Sequence, residues 1–438
     1  MFTLLTTRVR DFMTGNPLSV KYGIDGLLVM GGIALAVNNH SIFALRLGAG
    51  DYHLSLIHSL PQIINMLLLI PAGMFADSLI NKRRMLSASL VLAAVFFVLA
   101  GVSAFIPVHT IYLFLGAIAL SGAAIALYNL TWQAYFPEVV ASEKRNAVLT
   151  FRARVTMVIS LVLPLISGGI LAAVPSHEGK VIVHQIFYAL VGVLLVANAI
   201  FLRQIKATQP AEPKRVSGKQ LVTALKRLRK NKPYIIFTAV AVFFHLTWHI
   251  DWTLYFIGQA NYLQMNEFLL GLTGVGATLM QLLTLAFWSR RNARMGVEKP
   301  VAFGIWGLGL CPVAMILALT VPARMGIPTF LIANFFAHIA FATIALNFFQ
   351  CLLKVVDKEY RSLSISLYTC FIMASNAVMP VVGVALYRAL GGTLPALRTT
   401  FIIVFFLRLL SGGIWYLRAC LMKKGEEDDA LLPSKGTA

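Results

Sequence analysis

The chain has 438 residues, of which 58% are hydrophobic and only 12% are charged. About a quarter of the residues of a soluble globular domain are charged, so this composition excludes an ordinary soluble protein. The formal net charge of +20 would suggest nucleic-acid binding in a soluble chain. Here the cations lie between long apolar blocks, where they set the orientation of membrane spans, and we predict no nucleic-acid partner.

The apolar blocks have the length that a membrane crossing requires. Residues 85–137 contain no Asp, Glu, Lys or Arg, and Pro107 divides this block into two crossings. A crossing needs about 20 apolar residues and must be helical, because lipid offers no partner to backbone groups. The sequence predicts an all-α membrane protein of twelve transmembrane helices in two six-helix, pseudo-symmetric bundles. The predicted spans are residues 23–46, 54–76, 85–106, 110–135, 147–174, 182–204, 234–257, 267–288, 300–321, 327–353, 364–387 and 399–419.

The basic residues predict the orientation of these spans. Most Lys and Arg residues fall in segments on the same side as the N-terminus, whereas the other side carries only Arg46, Lys180, Arg324, Arg388 and Arg398. By the positive-inside rule both termini are cytoplasmic. The first residues lack the long apolar core of a cleavable signal. We expect a monomeric, multi-pass protein of the cell membrane.

The longest polar stretch divides the chain. We predict a first bundle at 1–204, a cytoplasmic linker at 205–233, a second bundle at 234–422 and a cytoplasmic tail at 423–438. Within the linker, leucines recur at helical spacing among six cations. This pattern favours an amphipathic helix on the anionic membrane surface, with an acidic partner or nucleic acid as the alternative. The leucines are Leu221, Leu225 and Leu228.

A charged run between spans two and three carries a family resemblance. Gly73 and Asp77 close span two, and Lys82, Arg83 and Arg84 precede span three. This run resembles the loop motif of the major facilitator superfamily, although a basic residue and a glycine of that motif are replaced by serine and isoleucine. The resemblance implies that the five residues form a conformational latch in the outward-facing state. A solvated turn is the alternative.

The two halves of the sequence echo each other. Arg145 precedes Pro164 by 19 residues, and Arg361 precedes Pro380 by the same 19. A polar pair closes both span four and span ten. Repeated halves with helices interrupted by proline and glycine are typical of a carrier that works by alternating access. The polar pairs are Asn129 with Gln133, and Asn347 with Gln350.

Span seven is the richest in polar residues. His245 and His249 are four residues apart on one helix face, Trp248 and Trp252 lie on an adjacent face, and Asp251 follows. The family resemblance implies that spans one and seven line a central cavity. Histidine changes charge near neutral pH, so coupling to protons through the histidines and the acid is one hypothesis, and hydrogen-bonded core histidines are the alternative. No metal or other cofactor is predicted, because neither HExxH nor cysteine ligands accompany the pair.

Cations within the spans are unusual. Arg152 and Arg154 in span five fit an anionic group of a substrate, a pairing with Asp25 or Glu138, or snorkelling to the membrane surface. Arg408, midway along span twelve, requires a buried partner that the sequence does not identify.

These patterns predict a secondary active transporter that moves a small organic solute by alternating access, with proton coupling as a further hypothesis, and not an enzyme. The alternatives are a membrane-embedded enzyme acting on a lipid-linked substrate and a non-transporting solute receptor. The partners would be the solute, protons and membrane lipid. The predicted substrate-binding residues are Asn38, Asn39, His40, Asn129, Gln133, Arg154, His245, Trp248, His249, Asp251, Trp252 and His338.

Overall fold

The computed structural model describes residues 17–78, 81–207, 226–356 and 361–431. Within them, side chains are described except at residues 69–70, 72–80, 293, 361–363 and 423–431. Every element of secondary structure in these residues is a helix. Leu221 and Leu225 of the predicted linker helix lie outside the described residues, while Leu228 is buried in the core of the second bundle.

Eleven helices of the described part of the chain are long and apolar enough to cross a membrane. A further helix of 28 residues, Asp51–Ser78, takes the place of span two. All twelve overlap the predicted spans, which confirms the all-α fold. Spans one and three to twelve are Pro17–Arg46, Lys82–Phe105, Thr110–Val139, Ser142–Ala173, His177–Leu202, Lys232–Tyr262, Glu267–Asn292, Glu298–Thr320, Ala323–Val355, Ser364–Ala389 and Leu394–Met422.

Several spans are interrupted helices, but the interruptions do not occur at Pro164 or Pro380. Pro164 lies inside the continuous helix Ser142–Ala173, and Pro380 lies inside Arg361–Ala389. These prolines therefore do not interrupt spans five and eleven. A transmembrane helix tolerates proline because neighbouring side chains and small local adjustments satisfy the freed carbonyl.

Two of the interruptions fall at polar residues of the first span of each half, and span nine is divided into Glu298–Leu308 and Leu310–Thr320. Span one breaks between the helices Pro17–Val37 and His40–Arg46, and span seven breaks between Lys232–His249 and Trp252–Ile257. A short π-helix, Gly258–Tyr262, completes span seven. Irregular backbone at membrane depth requires partners for the carbonyls that the break frees.

In span one, side-chain amides supply those partners. Asn38 Nδ2 donates to the carbonyl oxygen of Ala34 at 2.6 Å, and Asn39 Nδ2 donates to that of Leu35 at 2.7 Å. Each amide reaches back one helical turn and satisfies a carbonyl at the end of the first helix. The two asparagines therefore stabilise the break itself.

The chain forms two compact units. Unit 1 comprises Met1–Gln220 together with Asn266–Val275, the start of span eight. Its helices pack closely through small residues: a Cβ added at Gly101 would lie 2.8 Å from Tyr188 Cβ, and one at Gly192 would lie 2.6 Å from Val98. Spans three and six of this unit thus approach each other as lipid-embedded helices do where glycine removes the side chain.

Unit 2 comprises Leu221–Met265 and Gly276–Ala438. Phe237, Phe244 and Trp415 are fully buried at the centre of its core. Gly383 of span eleven lies directly against the carbonyl oxygen of Ile250, inside the break of span seven, where no Cβ can be accommodated. Span eleven therefore packs its backbone against the irregular part of span seven.

Candidate functional site

An ion pair holds the break of span seven in unit 2. Arg408 Nη2 donates to Asp251 Oδ1 at 2.6 Å and to Oδ2 at 2.8 Å. Arg408 is 1% exposed and Asp251 is 0% exposed, so both charges are removed from solvent. A buried charge is tolerated only when a partner compensates it, and this pairing supplies the partner that the sequence could not identify for Arg408.

Arg408 also binds two backbone carbonyls. Nη1 donates to the Leu308 oxygen at 2.7 Å, and Nη2 donates to the Trp248 oxygen at 3.1 Å. These carbonyls lie in the last turns of the helices Lys232–His249 and Glu298–Leu308. A helix C-terminus carries partial negative charge and unsatisfied carbonyls. One guanidinium therefore joins the interruptions of spans seven and nine to span twelve.

Next to this pair, span seven presents a cluster of aromatic and histidine rings. The ring centroids of His245 and His249 are 5.2 Å apart, and those of His249 and Trp252 are 4.4 Å apart. Trp248 stacks on His249 at 5.3 Å and also contacts Phe341 of span ten at 5.4 Å. The structure thus brings together the histidines and tryptophans that the sequence singled out, and we call these four residues of span seven the ring cluster.

Polar atoms around the ring cluster differ in their partners. His249 Nδ1 lies 3.1 Å from Ser375 Oγ of span eleven. His338 Nδ1 lies 2.7 Å from the carbonyl oxygen of Asn334 in its own span. By contrast, His245 Nδ1 and Asn376 Oδ1 are buried and form no hydrogen bond with the described residues. Two polar atoms in this part of unit 2 therefore retain hydrogen-bonding capacity for a bound molecule.

Unit 1 contains a buried carboxylate network of which sequence reasoning identified only a part. Asp25 Oδ1 accepts from Tyr128 at 2.7 Å and Asn198 at 3.0 Å, and Oδ2 accepts from Trp132 at 3.1 Å and Arg152 at 3.2 Å. Asp25 is completely buried. The pairing of Arg152 with Asp25, one of the alternatives, is therefore the one observed. Four donors therefore reach the two oxygens of this carboxyl group.

Arg152 keeps part of its guanidinium accessible. Its side chain is 22% exposed, and the guanidinium carbon lies 4.4 Å from the ring centroid of Trp132. Only Nε of Arg152 bonds to Asp25. Stacking on tryptophan and the Nε contact fix the plane of the guanidinium, which orients its remaining N–H groups.

A second charged cluster lies at the other end of unit 1. Glu267, from the start of span eight, accepts from Lys180 Nζ at 2.9 Å and from Arg46 Nη2, and Arg46 also contacts His184 Nε2. His40 Nδ1 lies 2.7 Å from the hydroxyl of Tyr188 in span six. His40 is thus a packed, hydrogen-bonded residue, and it stacks on Tyr188 with ring centroids 5.9 Å apart.

The remaining predicted binding residues belong to unit 1. Asn38, Asn129, Gln133 and Arg154 are exposed there. Asn39 lies 3.5 Å from Ser167 Oγ, in addition to its contact within span one. Solute binding by these residues stays a prediction. Asn38 and Asn39 have an additional role, because they support the break of span one.

The loop motif is described at its basic end. Lys82 Nζ donates to Glu138 Oε1 at 2.6 Å, and Arg83 Nη1 donates to the carbonyl oxygen of Arg203 at 3.0 Å. Arg84 is exposed, and its backbone N–H is capped by Asn81 Oδ1 at 3.2 Å. The surroundings of Gly73 and the side chain of Asp77 are not among the described parts of the chain, so the latch stays a prediction.

Sequence reasoning did not identify several members of these networks. Trp132, Asn198, His184 and Glu267 received no role, because single polar residues in apolar segments carry no spacing signal. A buried acid such as Asp25 needs hydrogen-bond donors in hydrocarbon. An acid within an apolar span is therefore the feature of the sequence that could have predicted such a network. Which helices supply the donors depends on packing.

The family model described as Major Facilitator Superfamily matches residues 26–257, which is more than half of the chain. The chain belongs to the Major Facilitator Superfamily. No curated protein sequence matches it.

Solved structures of this superfamily share the fold at low sequence identity. A bacterial homologue of the iron transporter ferroportin, in an inward-facing state, is similar with a TM-score of 0.72 and 14% identity over 91% of this chain and 98% of that chain. The nucleoside transporter NupG gives 0.68 and 12%, covering 91% and 98%. A D-xylose–proton symporter gives 0.66 and 13%, covering 91% and 96%. The ferroportin homologue is known in inward- and outward-facing states, the alternation that a secondary carrier of this superfamily requires.

Proposed function

We propose that this superfamily transporter is a secondary carrier of a small organic solute, and that the ring cluster of span seven binds the solute. The observation that carries the proposal is the ring cluster itself, in which His245 Nδ1 forms no hydrogen bond with the described residues. Asn376 Oδ1, also unbonded, belongs to the residue that follows Ser375, the partner of His249 in span eleven. Ligand sites combine mostly aromatic and apolar walls with a few polar atoms that fix orientation. Trp248, His249 and Trp252 supply such walls.

The ring cluster favours a solute with a flat apolar face and at least one hydrogen-bond donor. Aromatic side chains bind such faces by stacking, and Asn376 Oδ1 accepts a hydrogen bond. The similar structures are named as transporters, or homologues of transporters, of iron, nucleosides and xylose, which are very different solutes. The proposed class of solute therefore rests on the ring cluster and not on these structures. In unit 1, the oriented Arg152 guanidinium is suited to a carboxylate or phosphate group.

We propose that transport is coupled to protons through His245 and His249. Their rings are 5.2 Å apart, so protonation of one imidazole disfavours protonation of the other. Asp251, predicted to share this role, is bound by Arg408 on both carboxylate oxygens, which supports a structural role for that acid. The histidine pair is the remaining titratable group of the ring cluster.

We propose further that both termini are cytoplasmic in the cell membrane and that the motif from Gly73 to Arg84 acts as the latch. The bias of Lys and Arg toward the side of the termini supports this orientation. Lys82 is held by an acid and Arg83 by a backbone carbonyl of unit 1, whereas Arg84 is exposed and suits a role in the latch.

The experiment that tests the function begins with a ligand-stabilisation screen on the purified protein in detergent. Any solute that raises the melting temperature is then tested for flux in proteoliposomes, with Trp248→Ala as the site variant and the exposed Phe349→Ala as the matched control. We expect flux that Trp248→Ala reduces and Phe349→Ala does not. Binding without flux would indicate a receptor, and turnover of a lipid-linked substrate without flux would indicate an enzyme.

A further inference from the structure

An apolar groove lies between the first turns of span seven and span eleven in unit 2. Its volume is about 400 Å³, and its wall is almost entirely hydrophobic. The Tyr234 hydroxyl donates to the Ser364 carbonyl at 2.8 Å and ties the two helices together beside the groove. The lining residues are Leu228, Arg229, Tyr234, Ile235, Thr238, Ala239, Val242, Leu367 and Phe371.

The groove has the length of part of an acyl chain. Its residues on span seven run from Tyr234 to Val242, which at 1.5 Å per residue is about 12 Å along the helix. One leaflet of the hydrocarbon core is about 15 Å thick. Ile235 and Phe371 on the rim are 44% and 45% exposed, so the groove is open along its side. A hydrocarbon chain fits this shape, whereas a compact polar solute does not.

The end of the groove that precedes span seven is strongly basic. Arg229 lines the groove, and Lys226, Lys230 and Lys232 are exposed within three residues of it along the chain. No acid occurs between Lys226 and Lys232. Basic residues beside a membrane span attract anionic headgroups. The occupant must therefore join a negative charge to an apolar chain.

We propose that this groove binds one anionic phospholipid from the leaflet that faces the linker. One acyl chain lies along span seven, and the phosphate contacts Arg229. A neutral phospholipid gains the apolar contact but little from the cations, and a soluble phosphate gains the charge but not the apolar contact. The proposal does not depend on which solute is carried.

The test is native mass spectrometry of the full chain in a neutral detergent, with dioleoylphosphatidylglycerol and dioleoylphosphatidylcholine as probes. We expect one tightly held phosphatidylglycerol and at least fivefold weaker retention of phosphatidylcholine. Arg229→Gln should lower phosphatidylglycerol retention about fivefold, and Ala239→Phe, which fills the groove, should abolish the preference. Arg291→Gln removes an exposed cation outside the groove and should leave retention unchanged.

Three results would overturn the proposal. Equal retention of the two lipids would show that charge makes no contribution. Unchanged retention in Ala239→Phe would place the lipid outside the groove. Displacement by millimolar glycerol phosphate would show that a headgroup alone accounts for binding. The folded state of each variant is checked by its melting temperature without added lipid, and Arg229→Gln, on the exposed surface, keeps the test valid if Ala239→Phe does not fold.

Discussion

Arg408 binds both carboxylate oxygens of Asp251 at the point where span seven loses its helical hydrogen bonds. The same guanidinium satisfies carbonyls from spans seven and nine. This relationship explains why a cation occurs midway along span twelve. It also predicts that removing only one of the two residues destabilises the protein, because the remaining residue is then an uncompensated charge in hydrocarbon.

Replacing one partner of this ion pair should destabilise unit 2. We expect Arg408→Leu or Asp251→Leu to cost about 3–5 kcal/mol, the range for breaking a buried pair. The double variant should cost less than the sum of the two, because no unpaired charge remains. Thermal unfolding in detergent measures all three. Additive losses would show that the two residues do not stabilise each other.

Trp248→Ala should weaken solute binding while preserving the fold. The substitution removes a ring that stacks on His249 and contacts Phe341, so part of the wall of the ring cluster is lost. We expect a rise in Kd of about tenfold or more, which corresponds to about 1.4 kcal/mol. Equilibrium binding of the solute found by the stabilisation screen measures the change. Phe349→Ala, at a side chain that is 53% exposed, is the control and should bind as wild type.

His249→Gln should change how flux depends on pH. If a proton is carried by the histidine pair, flux of wild type depends on pH, because imidazole changes its charge when it binds a proton, and the variant loses that dependence. Flux in proteoliposomes over a range of pH, with and without a pH gradient, provides the measurement. His177→Gln alters an exposed histidine and should retain the wild-type profile. An unaltered profile in His249→Gln would remove this residue from coupling.

Gly383→Ala should disturb the break in span seven. The added methyl group meets the Ile250 carbonyl directly, so span eleven must move away from span seven. Overpacking of this kind costs about 1–3 kcal/mol, and we expect a lower melting temperature together with weaker solute binding. Gly413→Ala in span twelve is the matched control, because nothing lies within 4 Å of its added Cβ. Equal melting temperatures of the two variants would contradict the close packing.

Asp77→Asn should slow transport without preventing solute binding, if the latch implied by the loop motif operates. Loss of the Asp77 charge would destabilise the outward-facing conformation relative to the inward-facing one, so the rate of conformational exchange should change more than the affinity for the solute. Counterflow and binding assays on the same preparation separate the two effects. Glu178→Gln, at an exposed acid of another loop, is expected to behave as wild type. Unchanged counterflow in Asp77→Asn would remove the latch role.

Much of this protein was determined by the sequence itself. Twelve apolar blocks of sufficient length dictate twelve helices, because lipid leaves the backbone no other way to satisfy its hydrogen bonds. The spacing of His245, Trp248 and His249 on one helix likewise determined most of the ring cluster, since residues three or four apart share a face. Trp252 begins the next helix, after the break.

Only the tertiary structure decided which distant residues neutralise one another. Arg408 and Asp251 are 157 positions apart, and Asn198 and Asp25 are 173 apart, so no local pattern relates them. The break in span seven also depended on tertiary contacts. Proline predicts a break locally, but the helix continues through Pro164 and Pro380. At His249–Asp251 the backbone departs from the helix because Arg408 satisfies the carbonyl that is freed and Gly383 leaves the space.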